Sequence, residues 1–306
     1  MKKIAAPLLA LLVIALTPSC KKIFENRIPK VDAGDNITTT LPEDSVWLSG
    51  SATDKDGVIE SYQWLKISGP AAAIQNPDSA GTWVKNLKEG TYLFKLIATD
   101  DKGYFGSDTV AVTVLPAATE TITFQPANNE WEVHLFGNTT GINETDKVAT
   151  EIGAATGTTG GEVVNIRALL KFNLASIPAD AKIVSAKLTL YSHPDPLNGT
   201  DEYPNSGSNN AFLIQRVSEA WDFNTITYLN QPASTDVDQV EIPHTSEHFL
   251  DVVDVDVKKL IEAMIAEGNN GFLLKLKTEE IYNYRMFVSS KNADASKHPK
   301  LEVVYE

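Results

Sequence analysis

A chain of 306 residues is long enough for two domains, and its 42% hydrophobic and 22% charged content excludes wholesale disorder, a collagen-like chain and a multi-span membrane protein. Twenty-six basic against 40 acidic side chains leave a formal net charge of −14, which repels phosphate backbones and sets nucleic acid aside as a partner. The single cysteine allows no intramolecular disulfide.

At the N-terminus, Lys2 and Lys3 precede an apolar run from Ile4 to Leu16 that is interrupted only by Pro7. The run is too short to span a bilayer and reads as the core of a signal peptide. It ends in Leu16-Thr17-Pro18-Ser19-Cys20, which resembles the lipobox of bacterial lipoproteins, although Pro18 departs from the usual pattern. The resemblance implies removal of residues 1–19 and lipidation of Cys20. The protein is then expected in a bacterial cell envelope, at the outer membrane or cell surface, held by acyl chains that contribute about 0.8 kcal/mol per buried methylene. Residues 20–30 form a tether.

From 31 to 115 the text is strand-like, with β-branched and aromatic runs separated by turn residues every eight to twelve positions, the pattern of a β-sandwich. Strands are expected at 45–49, 59–66, 90–98 and 109–114. Alternation puts Tyr62 with Trp64 on one face, and Tyr92 with Phe94 and Leu96 likewise. Without a disulfide, the core is expected to rest on these residues and on Trp47, Trp64 and Trp83. The segments Val31-Asp32-Ala33-Gly34-Asp35-Asn36, Leu48-Ser49-Gly50-Ser51-Ala52-Thr53-Asp54-Lys55-Asp56-Gly57, Ser61-Tyr62-Gln63-Trp64, Ile67-Ser68-Gly69-Pro70 and Gly90-Thr91-Tyr92 leading to Thr99-Asp100-Asp101-Lys102-Gly103 resemble a PKD domain. That resemblance implies an immunoglobulin-like spacer and interaction module with no catalytic residues.

A small-residue linker around Pro116-Ala117-Ala118 separates this segment from a larger β-rich unit at 121–306. Strands are expected at 121–124, 163–172, 183–191, 211–217, 271–277, 285–289 and 300–305. One helix is expected over 257–267, where Leu260, Ile261, Met264 and Ile265 share a face, with Asp256 as its cap and Gly268 as its stop. The text Leu169-Leu170-Lys171-Phe172-Asn173-Leu174, Ser185-Ala186-Lys187-Leu188-Thr189-Leu190-Tyr191, Ser218-Glu219-Ala220-Trp221, Thr227-Tyr228-Leu229-Asn230-Gln231-Pro232 and His298-Pro299-Lys300-Leu301-Glu302-Val303-Val304-Tyr305 resembles the DNRLRE domain, a β-sandwich family that includes carbohydrate-binding modules. The fold class expected for the whole chain is therefore all-β: two sandwiches, the second larger and jelly-roll-like with one short helix.

The segment His244-Thr245-Ser246-Glu247-His248 spells a zinc-peptidase pattern, but that chemistry needs both histidines on one helical face, and Pro243 and the turn-prone surroundings favour a solvated loop. Asp32, Asp35, Asp54 and Asp100 are candidate calcium ligands, with turns capped by their own side chains as the preferred reading. No other cofactor is indicated. No nucleophile elbow or phosphate loop is present, and the chain reads as non-enzymatic.

Sugar binding needs aromatic faces for pyranose rings and polar or charged groups for hydroxyls and carboxylates. In the second domain Trp131, His134 and Tyr284 are the candidate rings, and Arg167, Lys171 and Arg285 the candidate cations. If these cations converge in an otherwise acidic domain, they favour an anionic polysaccharide. The sequence thus reads as a lipoprotein that binds polysaccharide through its second domain. The competing reading is a non-enzymatic adhesin or scaffold that binds a protein.

Overall fold

The computed structural model describes residues 26–126, 129–195 and 203–306. The leader, and Cys20 with it, lie outside the described residues. The chain divides into two compact units, Met1–Ala117 and Ala118–Glu306.

The first unit contains β1 (Lys30–Asp32), β2 (Ile37–Thr40), β3 (Val46–Ser49), β4 (Ser51–Thr53), β5 (Ile59–Ser68), β6 (Ala73–Ile74), β7 (Gly81–Lys85), β8 (Gly90–Asp100) and β9 (Phe105–Leu115). One sheet runs β2-β9-β8-β5 and another β3-β7-β6, while β1 pairs with β4. This is the expected immunoglobulin-like sandwich, with β2 parallel to β9.

Its interior follows from alternation along each strand. Tyr92, Phe94 and Leu96 of β8 and Val110, Val112 and Val114 of β9 point inward with Trp64, Leu48 and Val84. Trp64 is 1% exposed, and its indole N–H donates to the Ala80 carbonyl at 3.1 Å. The ring fits because position 50 is glycine: a Cβ there would stand 2.8 Å from Trp64 and 2.3 Å from Leu96.

Trp47 and Trp83 depart from expectation. They are 45% and 41% exposed and take no part in the core. Period two explains why: in β3 the buried positions are Val46 and Leu48, and in β7 they are Thr82 and Val84, so the tryptophans between them face outward. They pair directly across the two strands, with ring centroids 5.6 Å apart and planes at 68°.

The second unit contains β10 (Glu120–Phe124), β11 (Glu132–Gly137), β12 (Asn143–Asp146), β13 (Glu151–Thr159), β14 (Glu162–Leu170), β15 (Ile183–Leu190), β16 (Asn205–Ser206), β17 (Phe212–Val217), β18 (Ser234–Ile242), β19 (Val252–Asp256), α1 (Lys258–Glu267), β20 (Phe272–Leu276), β21 (Asn283–Val288) and β22 (Lys300–Tyr305). Strands β10-β22-β15-β19 form one sheet. The other runs β16-β21-β13-β14-β20-β17-β18, with β11 also paired to β14 and β12 to β11. The two make a curled sandwich. Between them lie Phe124, Leu188, Leu301 and Val303 from the smaller sheet and Leu170, Phe212, Leu274 and Phe287 from the larger. The expected helix is present, and buries Leu260, Ile261 and Met264 in this core. Its N-cap position is Val257. Asp256, one residue earlier, still accepts a hydrogen bond from the Lys258 N–H at 3.0 Å.

The two environments of tryptophan in the first unit carry a stability prediction. Trp64→Ala removes a buried ring and is expected to cost about 3–5 kcal/mol, whereas Trp47→Ala removes an exposed cross-strand contact and is expected to cost about 1 kcal/mol or less. Urea denaturation of the two variants checks this, and equal losses would contradict the outward placement of Trp47.

Candidate functional site

Strand β14 organises the outer face of the larger sheet. Ala168, Leu170 and then Phe172 enter the main core. Leu169 faces the other way, in a second cluster with Val133 and Leu135 of β11, Val217 of β17 and Leu273 of β20. That outer cluster is roofed by residues 221–228, which contribute Ile226 and Tyr228, with Trp221 and Phe223 packed alongside. The roof is shaped by local hydrogen bonds. The Asp222 carboxylate accepts from the Asn224 N–H at 2.7 Å and the Thr225 N–H at 3.2 Å, and the Trp221 indole N–H donates to the Asn270 carbonyl at 2.8 Å. Tyr228 lies directly against Gly137, where a Cβ would stand 2.3 Å from the ring.

At one edge of the roof is a cleft of about 220 Å³ lined by Glu130, Trp131, Lys171, Trp221, Asp222, Phe223 and Asn224. A short 3₁₀ turn, Asn129–Trp131, leads into β11 and carries Trp131. The Lys171 N–H donates to the Trp131 carbonyl at 2.8 Å, which fixes the two residues together. The Lys171 ammonium is 5.7 Å from the Trp131 ring centre, and partial burial lowers its pKa below the ordinary lysine value. On the roof side, Lys147 Nζ stands 5.1 Å from the Phe223 ring centre and donates to the Asn224 carbonyl at 3.0 Å. Trp131, Trp221 and Phe223 are half-buried, while Glu130, Asp222 and Asn224 are exposed. Half-exposed rings beside an ammonium, two carboxylates and an amide can pack an apolar ring face and exchange hydrogen bonds with its substituents.

Arg167, on the same outer face as Leu169 and Lys171, is already engaged. Its guanidinium forms two parallel hydrogen bonds to Glu279, at 2.7 and 2.9 Å, and lies 5.0 Å from the Tyr228 ring centre. Burial opposes the charge, but the hydrogen bonds and charge of Glu279 outweigh it and raise the Arg167 pKa. Glu279 also accepts from the Asn165 side-chain amide at 2.8 Å. Arg167 therefore props the roof from beneath.

The remaining sequence-predicted residues do not converge on the cleft. Arg285 is 0% exposed and projects into the sandwich interior, 5.1 Å from the Phe212 ring centre and 5.9 Å from that of Phe287. One Nη donates to the Pro243 carbonyl at 3.0 Å, and burial depresses its pKa to about 10. Its place on β21, a strand buried on both faces, keeps it from any external sugar. His134 is 1% exposed, stands edge-on to Phe136 at 5.7 Å, and is pushed down to about pKa 4 by burial. Tyr284 is buried with Ala155 and Met286. Neither can stack on a sugar without opening the fold. The roof is not legible in the sequence: neither Trp221 nor Phe223 is among its candidate rings, because their half-exposure depends on where the loop folds back.

The candidate calcium ligands make turn contacts. Asp32 accepts from the Gly34 N–H at 2.9 Å and Asp54 from the Asp56 N–H at 3.3 Å. Asp35 is exposed. Asp100 accepts from Lys102 N, Tyr104 N and the Asn26 amide; burial opposes its ionisation, but these bonds and the Lys102 charge hold its pKa low. Among the described residues no group of three or more histidine, cysteine or acidic side chains is arranged to hold a metal. Residues 243–250 form a loop and turn, not a helix. Within it, His244 meets Asn210 at 2.9 Å while His248 stacks on Tyr203 at 3.9 Å.

Comparison with known proteins agrees with this architecture. Residues 33–114 match the K319L-like PKD domain, and residues 143–305, more than half of the chain, match carbohydrate-binding module family 96. The fold and these matches define an all-β protein built from two modules of non-catalytic kinds. The chain belongs to carbohydrate-binding module family 96, with a PKD domain preceding the module.

Human low-density lipoprotein receptor-related protein 11 is 39% identical over 94 residues, 30% of this chain and 19% of that protein. The rat dyslexia-associated protein KIAA0319 homolog is 40% identical over 105 residues, 33% of this chain and 10% of that protein. The chain thus spans a fifth or less of the length of these relatives. Among solved structures, the PKD domain from KIAA 1837 protein is 36% identical, with a TM-score of 0.27 over 29% of this chain and 87% of that one. The PKD domain from human KIAA0319 is 27% identical, with a TM-score of 0.28 over 33% and 94%.

The buried histidine predicts an acid sensitivity. Between pH 6.5 and about 4 the unfolded chain binds a proton that native His134 excludes, so its contribution is present above that window and is lost as pH falls through it, by up to ~3 kcal/mol. Urea titrations at pH 7 and pH 4 should show His134→Leu losing less stability on acidification than the native chain. An equal loss would assign the sensitivity elsewhere.

Proposed function

We propose that the second unit captures polysaccharide in the cleft between Trp131 and the 221–224 segment. The supporting observation is that the carbohydrate-binding module match falls on the unit in which Trp131, Lys171, Trp221 and Phe223 surround one open cleft. The rings take the apolar faces of sugar residues. Asn224, Glu130 and Asp222 exchange hydrogen bonds with hydroxyls, and Lys171 supplies a cation for a sugar carboxylate. Arg167, tied to Glu279, positions the roof rather than touching sugar. In this reading the protein performs no catalysis, the PKD domain is a spacer, and the DNRLRE-like character of the second unit is that of a bacterial extracellular sugar binder. A lipidated Cys20 would hold the protein at the outer membrane or cell surface.

Affinity electrophoresis of the full chain on neutral and acidic polysaccharides tests the site. Trp131→Ala with Lys171→Ala is expected to weaken retention about tenfold, the loss of roughly 1–2 kcal/mol of stacking and charge-assisted contact. Arg285→Met is expected to leave retention unchanged. Absence of retardation on every polysaccharide would overturn the reading in favour of a protein-binding adhesin. Anchoring is tested separately: Cys20→Ser should move the protein from the membrane to the soluble fraction of expressing bacteria, and unchanged partitioning would remove the lipid from the account.

A further inference from the structure

The interior of the second unit holds a cation with no counter-charge. Arg285 is 0% exposed, burial is the only influence on its ionisation, and at a pKa of about 10 it stays charged at neutral pH. A buried guanidinium that is neither paired nor fully hydrogen-bonded is strongly destabilising. The rings of Phe212 and Phe287 and the carbonyl of Pro243 offset part of that cost. The remaining donors, Nε and Nη2, have no hydrogen-bond partner, and among the described residues they are the only cationic donors buried without one. They are also a matched pair. Nε and Nη2 lie parallel along one edge of the guanidinium, the edge that grips the two oxygens of a carboxylate. Arg167 of the same unit presents that edge to Glu279, at 2.7 and 2.9 Å.

We propose that Arg285 holds a small carboxylate-type anion, of the size of formate or bicarbonate, as an internal counter-ion of the second unit. The neighbouring side chains fit such a guest. Asn205 of β16 stands opposite Arg285 across the strand pair, and Ser192 stands opposite Phe287. Opposed residues share a face, as do 285 and 287, so the Asn205 amide and the Ser192 hydroxyl lie on the side to which the guanidinium projects. Asn205 Oδ1 and Ser192 Oγ are themselves buried without a hydrogen-bond partner. The hydroxyl is a third donor for an oxyanion, and Asn205 Oδ1 accepts from the O–H of bicarbonate or from a water carried in with formate. On the other flank of β21 the residue opposite Arg285 is Ala154, whose short side chain takes little of the space. The guest is small because no part of Arg285 reaches solvent. A water molecule satisfies the two donors but leaves the charge uncompensated, and chloride offers no pair of oxygens to the fork. The role of the anion is structural, since it neutralises the side chain that holds the loop at Pro243.

The test uses the full chain, refolded from urea into chloride buffer at pH 7, with sodium formate or bicarbonate then replacing chloride at constant ionic strength. At least one of the two should raise the thermal midpoint saturably, by about 3–6 °C at a tenfold excess over its Kd, and the one that does so identifies the guest. Arg285→Lys, which keeps a charge and removes the fork, should lose most of that rise, and Arg285→Met all of it. Where Arg285→Met does not fold, NMR of 13C-labelled formate and bicarbonate with the native chain and with Arg285→Lys decides. The native chain should broaden the carbon signal of its guest, and Arg285→Lys should leave it sharp. A native midpoint that stays unchanged when either anion replaces chloride would overturn the internal counter-ion. So would a rise that Arg285→Lys keeps in full, or a carbon signal that is the same with both proteins.

Discussion

A strand covered on both faces has no free side on which to carry function, and the last three residues of β14 in the second unit, 168–170, are in that position. One row of its side chains belongs to the core between the sheets, and the other lies beneath the 221–228 roof. The open cleft proposed for sugar is thereby at the margin, where the strand runs out from under the roof. Lys171 follows Leu170 by one residue, and Trp131 precedes the paired strand β11 by one. The cleft is thus a consequence of where cover ends, and its geometry is inherited from two strands whose register is secured along their length.

The same cover explains the polar groups found inside. Glu132 is wholly buried, and burial raises its pKa although its carboxylate accepts hydrogen bonds from the Ser290 N–H and hydroxyl. The Lys291 ammonium donates to the Glu132 carbonyl at 2.9 Å. These contacts tie β11 to the loop after β21, so the interior polar residues act as cross-links between distant segments. Arg285 does similar work for the loop at Pro243. Residues that look like ligand-binding groups by their chemistry are here structural by their location.

The sequence shows the first unit more clearly than the second, for a physical reason. In β8 and β9 buried positions alternate with more exposed ones, because one face of each strand meets a core and the other does not. Strands β11 and β13 are buried along most of their length, so Glu132-Val133-His134-Leu135-Phe136-Gly137 and the Gly-Ala-rich Glu151–Thr159 present no period to read. Facing is the second difficulty. Trp47 and Trp83 read as core from hydrophobicity, but strand phase sends them outward; Arg285 reads as surface from charge, but the same rule sends it inward. Lys171 and Trp131 are recognisable as chemistry, and only the fold brings them to one cleft with Trp221 and Phe223, half a domain apart in the chain.

The parallel pairing of β2 with β9 has a mechanical consequence. Residues 37–40 run beside residues 112–115 in the same direction, and the Leu41 N–H extends the seam to the Leu115 carbonyl at 3.0 Å. Tension applied to the two ends of this unit pulls the first of these strands toward its own start and the second toward its own finish. The seam is therefore loaded lengthwise, and its hydrogen bonds must give way together, whereas an antiparallel pair at the ends would be peeled apart one bond at a time. Rupture under load is governed by the rate of unfolding rather than by equilibrium stability. A short seam of four residue pairs thus shares such a load along its whole length.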